Sequence, residues 1–198
     1  MHPPANERVL EAAIHLFAEK GFQGTKTKEI AEAAGINEAL IFRYFRSKDN
    51  LYCAILEYAS RRINAERWIQ EVSGHAGERN DTALFSDLAL NYLAGFSAEP
   101  NLYRLMLYSA LENHDLACKF REAHTVPLER FIEQYIRTRQ DEGAFRAGDP
   151  HTLARHFLNL CSHLVLRHVL FGPSAEPAVD AAAASALTGI FLDGVHSH

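Results

Sequence analysis

Apolar residues along this chain recur at intervals of three and four, the period of a helix buried on one face. Val9, Leu10, Ala13, Ile14 and Phe17 form the first such stripe, and Gly21 follows it as a helix-closing residue. Phe85, Leu88, Ala89, Tyr92, Leu93 and Phe96 form another, opened by Asp81 or Thr82. Leu128, Phe131, Ile132, Tyr135 and Ile136 form a third, which ends near Gly143. Alternating runs joined by Asn-Gly or Asp-Gly turns, the mark of β-hairpins, do not occur. Pro100 and Pro150 each follow an acidic residue at an expected helix start, where a missing N–H costs nothing. Pro127 either kinks a long helix or restarts one. The pattern predicts an all-α protein of about nine helices.

The rhythm of those helices changes along the chain. Short, closely spaced helices come first, and one long helix is expected over residues 48–72. The polar run SGHAGERND, residues 73–81, breaks it, and longer helices follow. This predicts a small N-terminal unit, residues 1–53, carried on a larger helical body, residues 54–198. Within the body, residues 150–171 are apolar nearly all round, through Leu153, Phe157, Leu158, Leu160, Cys161, Leu164, Val165, Val169 and Leu170. A helix without a polar face must be covered on both sides, and a partner subunit can supply the second cover. The last helix, expected from about Pro177 to residue 195, carries Ala182, Ala183, Ala186, Leu187 and Ile190, small enough for close helix approach.

Residues 21–51 have a more specific spacing. Thr27 can cap a two-turn helix with Glu29 in its first turn, where the helix dipole favours an acid. Gly35 permits a left-handed turn, Ile36 plugs the corner, and Asn37 can cap a second short helix from Glu38 to about Phe45. Two short helices about a glycine turn, packed on a preceding amphipathic helix, are a helix-turn-helix. The stretch TKTKEIAEAAGINEALIFRYFRSKDNLYCAIL, residues 25–56, resembles the DNA-binding signature of TetR-family transcriptional regulators. Thr27, Ile30, Ala31, Ala34, Gly35, Tyr44, Phe45, Ser47, Lys48 and Leu51 fit the family pattern in order and spacing. The match spans roughly residues 8–56; the rest of the chain resembles the family only in length and helical character.

The residues suit that role chemically. Lys48 is a cation in the first turn of a helix, against the dipole, and a phosphate held by both ammonium and amides would reconcile the two. Lys26, Thr27 and Lys28 make a second helix start of this kind. Arg43 and Tyr44 offer a guanidinium and a phenol from the second helix. Its exposed face, with Asn37, Glu38, Ala39, Leu40 and Phe42, would meet base edges. Ile41 and Phe45 follow the buried periodicity and are expected in the core. Two residues depart from the common pattern. Phe42 stands where many family members have a phosphate-contacting tyrosine. Glu38 is acidic beside DNA, and either a cytosine amino group or the helix dipole accounts for it.

The resemblance implies a homodimer through the last two helices, a double-stranded, pseudo-palindromic DNA operator, and a small-molecule effector that releases it. Phe96, Tyr103, Met106, Phe131, Tyr135 and Phe157 are the candidate effector contacts, although composition alone makes this region an aromatic core. The implied function is transcriptional regulation, with repression the default. The competing reading is a helical ligand-binding or signalling partner whose helix-turn-helix does not bind DNA.

Composition changes this picture in one respect. The 198 residues carry 20 Lys+Arg against 25 Asp+Glu, net -5, which argues mildly against a polyanion partner. Divided, residues 1–53 have seven of each sign, whereas residues 54–198 have thirteen and eighteen. The acidity belongs to the body, and residues 25–48 hold a surplus of two positive charges. Cys53, Cys118 and Cys161 are odd in number and far apart, which predicts neither a disulfide framework nor a metal site. Of the 11 histidines, His151 and His156, and likewise His163 and His168, are five apart and roughly 140° round a helix, off any common face. His156 and His163 share a face but lack further ligands. No metal, cofactor or catalytic constellation is expected. Neither a signal peptide at Met1–Ala5 nor a membrane span is expected, so the reading is cytoplasmic.

Overall fold

The computed structural model describes residues 4–172 and 179–197. Among these, secondary structure is helical apart from one isolated bridge, Phe145 to His196. The helices are α1 (Ala5–Gly24), α2 (Thr27–Ala34), α3 (Glu38–Phe45), α4 (Lys48–Arg62), α5 (Ala65–Gly77), α6 (Asp81–Ala98), α7 (Pro100–Leu111), α8 (Asp115–Phe120), α9 (Val126–Asp141), α10 (Pro150–Phe171) and α11 (Ala181–Val195). They pack as two compact units. One holds the chain up to Ile63 and Glu99–Glu122; the other holds Asn64–Ala98 and the chain from Ala123 onward.

In the first unit, α1 is the spine against which α2, α4 and α7 lie, while α8 packs on α4 and α7. Val9, Ala13 and Phe17 on α1 are fully buried with Ile30, Ile41, Leu51, Tyr52 and Ile55. Removing a Phe17-sized side chain from water contributes about 1.5–3 kcal/mol. Gly21 ends the regular part of α1 as expected, at φ 72° and ψ 176°. A side chain there is strained by the positive φ, and its Cβ would lie 2.5 Å from a Glu112 carboxylate oxygen, which would have to shift.

The second unit has α6 at its centre, covered by α5, α10 and α11, with α9 against α5 and α10. Phe85 is the hub: its ring centroid lies 4.9 Å from those of Phe157 and Phe191 and 6.0 Å from that of Tyr135. Around the start of α6, Asp81 accepts from Tyr135 at 2.6 Å and from Arg139 at 2.9 and 3.0 Å. His196, just past α11, lies 3.6 Å from the same carboxylate. The start of α6 and the second half of α9 are therefore tied through one side chain, with the end of α11 close by.

Two expectations about helix limits need correction. The single helix expected over residues 48–72 is two helices, because Ile63 adopts extended backbone and Asn64 accepts a hydrogen bond from the Arg67 amide at 3.0 Å. An asparagine cap competes well with continuing the helix, and buried Ile63 anchors the break. The polar run 73–81 is mostly helix. Ser73 donates to the Ile69 carbonyl at 2.6 Å and stays in α5, which reaches Gly77. Pro100 and Pro150 stand in the first turns of α7 and α10. Pro127 stands in the first turn of α9, directly after a five-residue π turn, Arg121–Thr125. Pro177 lies outside the described residues, within which the last helix is α11, capped by Asp180.

Candidate nucleic-acid interface

The turn between α2 and α3 is built by local chemistry. Gly35 sits at φ 64°, Ile36 donates back to the Ala31 carbonyl at 3.0 Å, and the Asn37 side chain accepts from the Ala39 amide at 2.9 Å. These bonds end one helix and begin the next within three residues. On α3, only Ile41 is fully buried, and Phe45 and Leu40 are half-buried. Ala39, Phe42, Arg43 and Tyr44 are exposed, Phe42 at 45% and Tyr44 at 42%. Two large aromatic rings are thus left partly in water on a two-turn helix. Lys26 and Lys28 are exposed at the neighbouring start of α2. Arg43 lies over the Tyr44 ring, 5.5 Å from its centroid.

Thr27 differs from its expected place. It is the first residue of α2, not the cap; Lys26 occupies the cap position, and its amide is satisfied by the Glu29 carboxylate at 2.9 Å. Glu29 also pairs with Lys20 at 2.8 Å, and its carboxyl is held below the usual range by the Lys20 and Lys26 hydrogen bonds. The freed Thr27 hydroxyl donates to Glu38 at 2.5 Å. Glu38 thus bridges the two helices of the motif.

Lys48 is already engaged. Its ammonium donates to the Phe22 carbonyl and lies 4.2 Å from the centroid of the Phe22 ring. Burial lowers its pKa, against the opposing pull of Asp49, Glu112 and Glu29. Glu112, at the end of α7, accepts from the Phe22 amide at 2.9 Å. The cation that opposes the dipole of α4 therefore serves the carbonyl end of α1. Sequence spacing offered no signal for this pairing or for Glu112.

Arg46 was not among the sequence-selected contacts. It follows α3 at φ 64° and ψ -36°, and the Ser47 amide donates across it to the Phe45 carbonyl at 2.8 Å. This is a γ-turn with a non-glycine residue at positive φ, a strained geometry of the order of 1–3 kcal/mol.

The six candidate effector contacts are not brought together within one unit. Tyr103 and Met106 lie on α7 in the first unit; Phe96, Phe131, Tyr135 and Phe157 lie in the second. Phe157 is fully buried against Phe85 and Phe191, and Phe96 packs on Tyr92 with ring centroids 4.8 Å apart. Phe131 and Tyr135 share a shallow depression of about 240 Å³ with Arg79 and Thr138. The Tyr135 hydroxyl is committed to Asp81, and burial together with that carboxylate pushes its pKa far up. On α10 and α11, Leu160, His163, Leu164, Ala183, Ala186, Leu187 and Ile190 line an apolar depression of about 300 Å³. Leu160 is 40% exposed and Ile190 71%. Among the described residues, no three His, Cys, Asp or Glu side chains are grouped to hold a metal ion, and no helix is long and apolar enough to cross a membrane.

Residues 9–55 match the model of the bacterial regulatory proteins of the tetR family, and residues 85–193 match the C-terminal domain of AefR-like transcriptional repressors. The chain belongs to the TetR family. It is a DNA-binding transcriptional regulator, with the motif of α2 and α3 as its DNA-binding element. An uncharacterized HTH-type transcriptional regulator of Bacillus subtilis, YvkB, is 24% identical over 196 residues, 97% of each chain. The HTH-type transcriptional regulator RutR of Escherichia coli is 44% identical over 48 residues, 24% of this chain and 23% of that protein. Among solved structures, the fatty acid degradation regulator FadR of Bacillus halodurans has a TM-score of 0.70 at 17% identity, covering 95% of this chain and 98% of that one. That likeness carries the TetR-family fold and nothing about the ligand.

Proposed function

We propose that this TetR-family regulator is a repressor that works as a homodimer on a pseudo-palindromic operator and leaves it when a small effector binds the helical body. The carrying observation is the exposed face of α3, with Phe42, Arg43 and Tyr44 in water beside Lys26 and Lys28. The DNA-facing set is Lys26, Thr27, Lys28, Asn37, Glu38, Ala39, Leu40, Phe42, Arg43 and Tyr44. Lys48 joins it with the ammonium donors that remain beside the one on the Phe22 carbonyl. Helices α10 and α11 support the dimer, since their outer faces expose Leu160 and Ile190 over an apolar depression. Two α3 helices would then enter successive major grooves about 34 Å apart. The functional boundary belongs near residue 53, the protein in the cytoplasm, and its role in regulation, not catalysis.

Selection of duplexes from a random pool on the purified protein, followed by mobility shift, tests the reading. Enrichment of an inverted repeat that shifts at one dimer per site supports it. A pool that stays random after repeated selection overturns it in favour of the non-DNA-binding partner protein.

A further inference from the structure

The link from α1 to α2 sets how the DNA-binding motif stands on α1, and it is held from two directions. Phe22 gives its carbonyl to the Lys48 ammonium of α4 and its amide to the Glu112 carboxylate at the end of α7, the latter at 2.9 Å. The Gln23 amide makes a longer bond to the same carboxylate, at 3.5 Å. Just before them Gly21 leaves helical backbone, at φ 72° and ψ 176°, which turns the Phe22 amide away from the α1 ladder. Phe22 is buried, so that amide needs an acceptor from elsewhere. The carboxylate fits because position 21 has no side chain: a Cβ there would lie 2.5 Å from its oxygen. The Phe22 ring packs against Phe17, Tyr52 and His114, with centroids 5.7, 4.9 and 4.9 Å away. Thr25 then donates back to the Gly21 carbonyl at 2.8 Å, immediately before Lys26 caps α2. Glu112 is 90 residues from the amide it holds. A carboxylate in a DNA-binding unit opposes the phosphate backbone, so its electrostatic and its positioning effects on affinity have opposite signs.

We propose that Glu112 is a positioning residue for DNA binding: its carboxylate holds the Phe22 amide and so fixes the α1–α2 link that carries the helix-turn-helix. The inference rests on the DNA-binding reading and extends it to α7, which lies outside residues 1–53. Glu112 acts through Phe22 and touches neither base nor phosphate. Without it the amide side of the link is unheld, and affinity falls by the fraction of time the motif is correctly set.

The test uses the full-length protein and a fluorescein-labelled duplex obtained by selection on the wild type, titrated by anisotropy well below each variant's melting temperature. Glu112→Ala and Glu112→Gln remove the same negative charge, but only glutamine keeps an acceptor for the Phe22 amide. Glu112→Ala should bind at least about tenfold more weakly, and Glu112→Gln within about threefold of the wild type. Glu112→Asp keeps the charge but draws it back by one methylene, and should bind more weakly than Glu112→Gln. The slope of log affinity against log salt should be the same throughout, because no phosphate contact is lost. Hydrogen exchange at the Phe22 amide of the DNA-free protein should speed up in Glu112→Ala and Glu112→Asp, and not in Glu112→Gln. Folded Glu112→Ala that binds as tightly as the wild type, or more tightly as charge alone requires, overturns the proposal and leaves Glu112 a structural cap. Glu112→Gln falling below Glu112→Asp also overturns it, since charge and not the acceptor would then matter. A wild type that retains no duplex overturns the underlying reading, and is distinguished by failing before any variant is compared.

Discussion

Lys48 shows how one side chain changes meaning between sequence and structure. By spacing it is a cation set against the dipole of α4, waiting for an anion. In the folded chain its ammonium faces the carbonyl of Phe22, at the negative end of α1, and the conflict with α4 is settled by another helix. Glu112 completes the arrangement by accepting from the amide of the same Phe22. Lys48→Met keeps the apolar stem on the Phe22 ring and removes only the donor. The DNA-free protein should lose about 1 kcal/mol of stability, read from the urea midpoint. An unchanged midpoint would mean that the ammonium contributes nothing to α1. Thr27 makes a similar point: its hydroxyl, expected to cap α2, donates to Glu38 because Lys26 and Glu29 already satisfy that helix end.

At the scale of elements, the strongest ties join helix ends. Asp81 starts α6 and holds Tyr135 and Arg139 of α9, with His196 beyond α11 close by. Burial works to raise the pKa of Asp81, but the hydrogen bonds from Arg139 and Tyr135 outweigh it and the net shift is downward. A carboxylate whose folded pKa is depressed contributes stability that is fully present above its unfolded pKa, about 3.9, and is lost as pH falls through the folded value. Asp81→Asn should therefore be less stable at pH 7 by about 1–3 kcal/mol. It should also lose less of its remaining stability than the wild type between about pH 5 and pH 3. Parallel pH profiles of the melting temperature would show that the Asp81 carboxylate does not drive the acid limb. The junction of α4 and α5 rests on Ile63 and Asn64 alike: a buried stop and a polar start, adjacent in sequence.

For the whole molecule, the exposed apolar faces of α10 and α11 matter most. Ile190 is 71% exposed, so Ile190→Glu costs little in the folded monomer but would bury a carboxylate in the proposed dimer contact. The variant should sediment as a monomer at micromolar concentration, retain its helical circular dichroism, and bind the selected duplex at least about tenfold more weakly. A dimer of unaltered stability would move the contact elsewhere. The net negative charge of the chain lies outside the first 53 residues, which carry seven charges of each sign.

The amino-acid sequence alone determined the helical class, the place of the helix-turn-helix, and the devices that shape it: Gly35 in its left-handed turn, Asn37 on the Ala39 amide, Gly21 at the end of the first stripe. These signals act within about one helical turn, so neighbouring residues suffice to read them. Only the tertiary structure decided which charges stay available to a partner. Lys48 meets a carbonyl 26 residues away, Glu112 an amide 90 away, and Arg139 a carboxylate 58 away. The same holds for Phe96 and Phe157, whose aromatic character leaves both core and effector contact open and whose neighbours, Tyr92 for one and Phe85 for the other, come from the fold. Helical periodicity reports that a face is buried; what buries it depends on chain segments far apart in sequence, brought together only by folding.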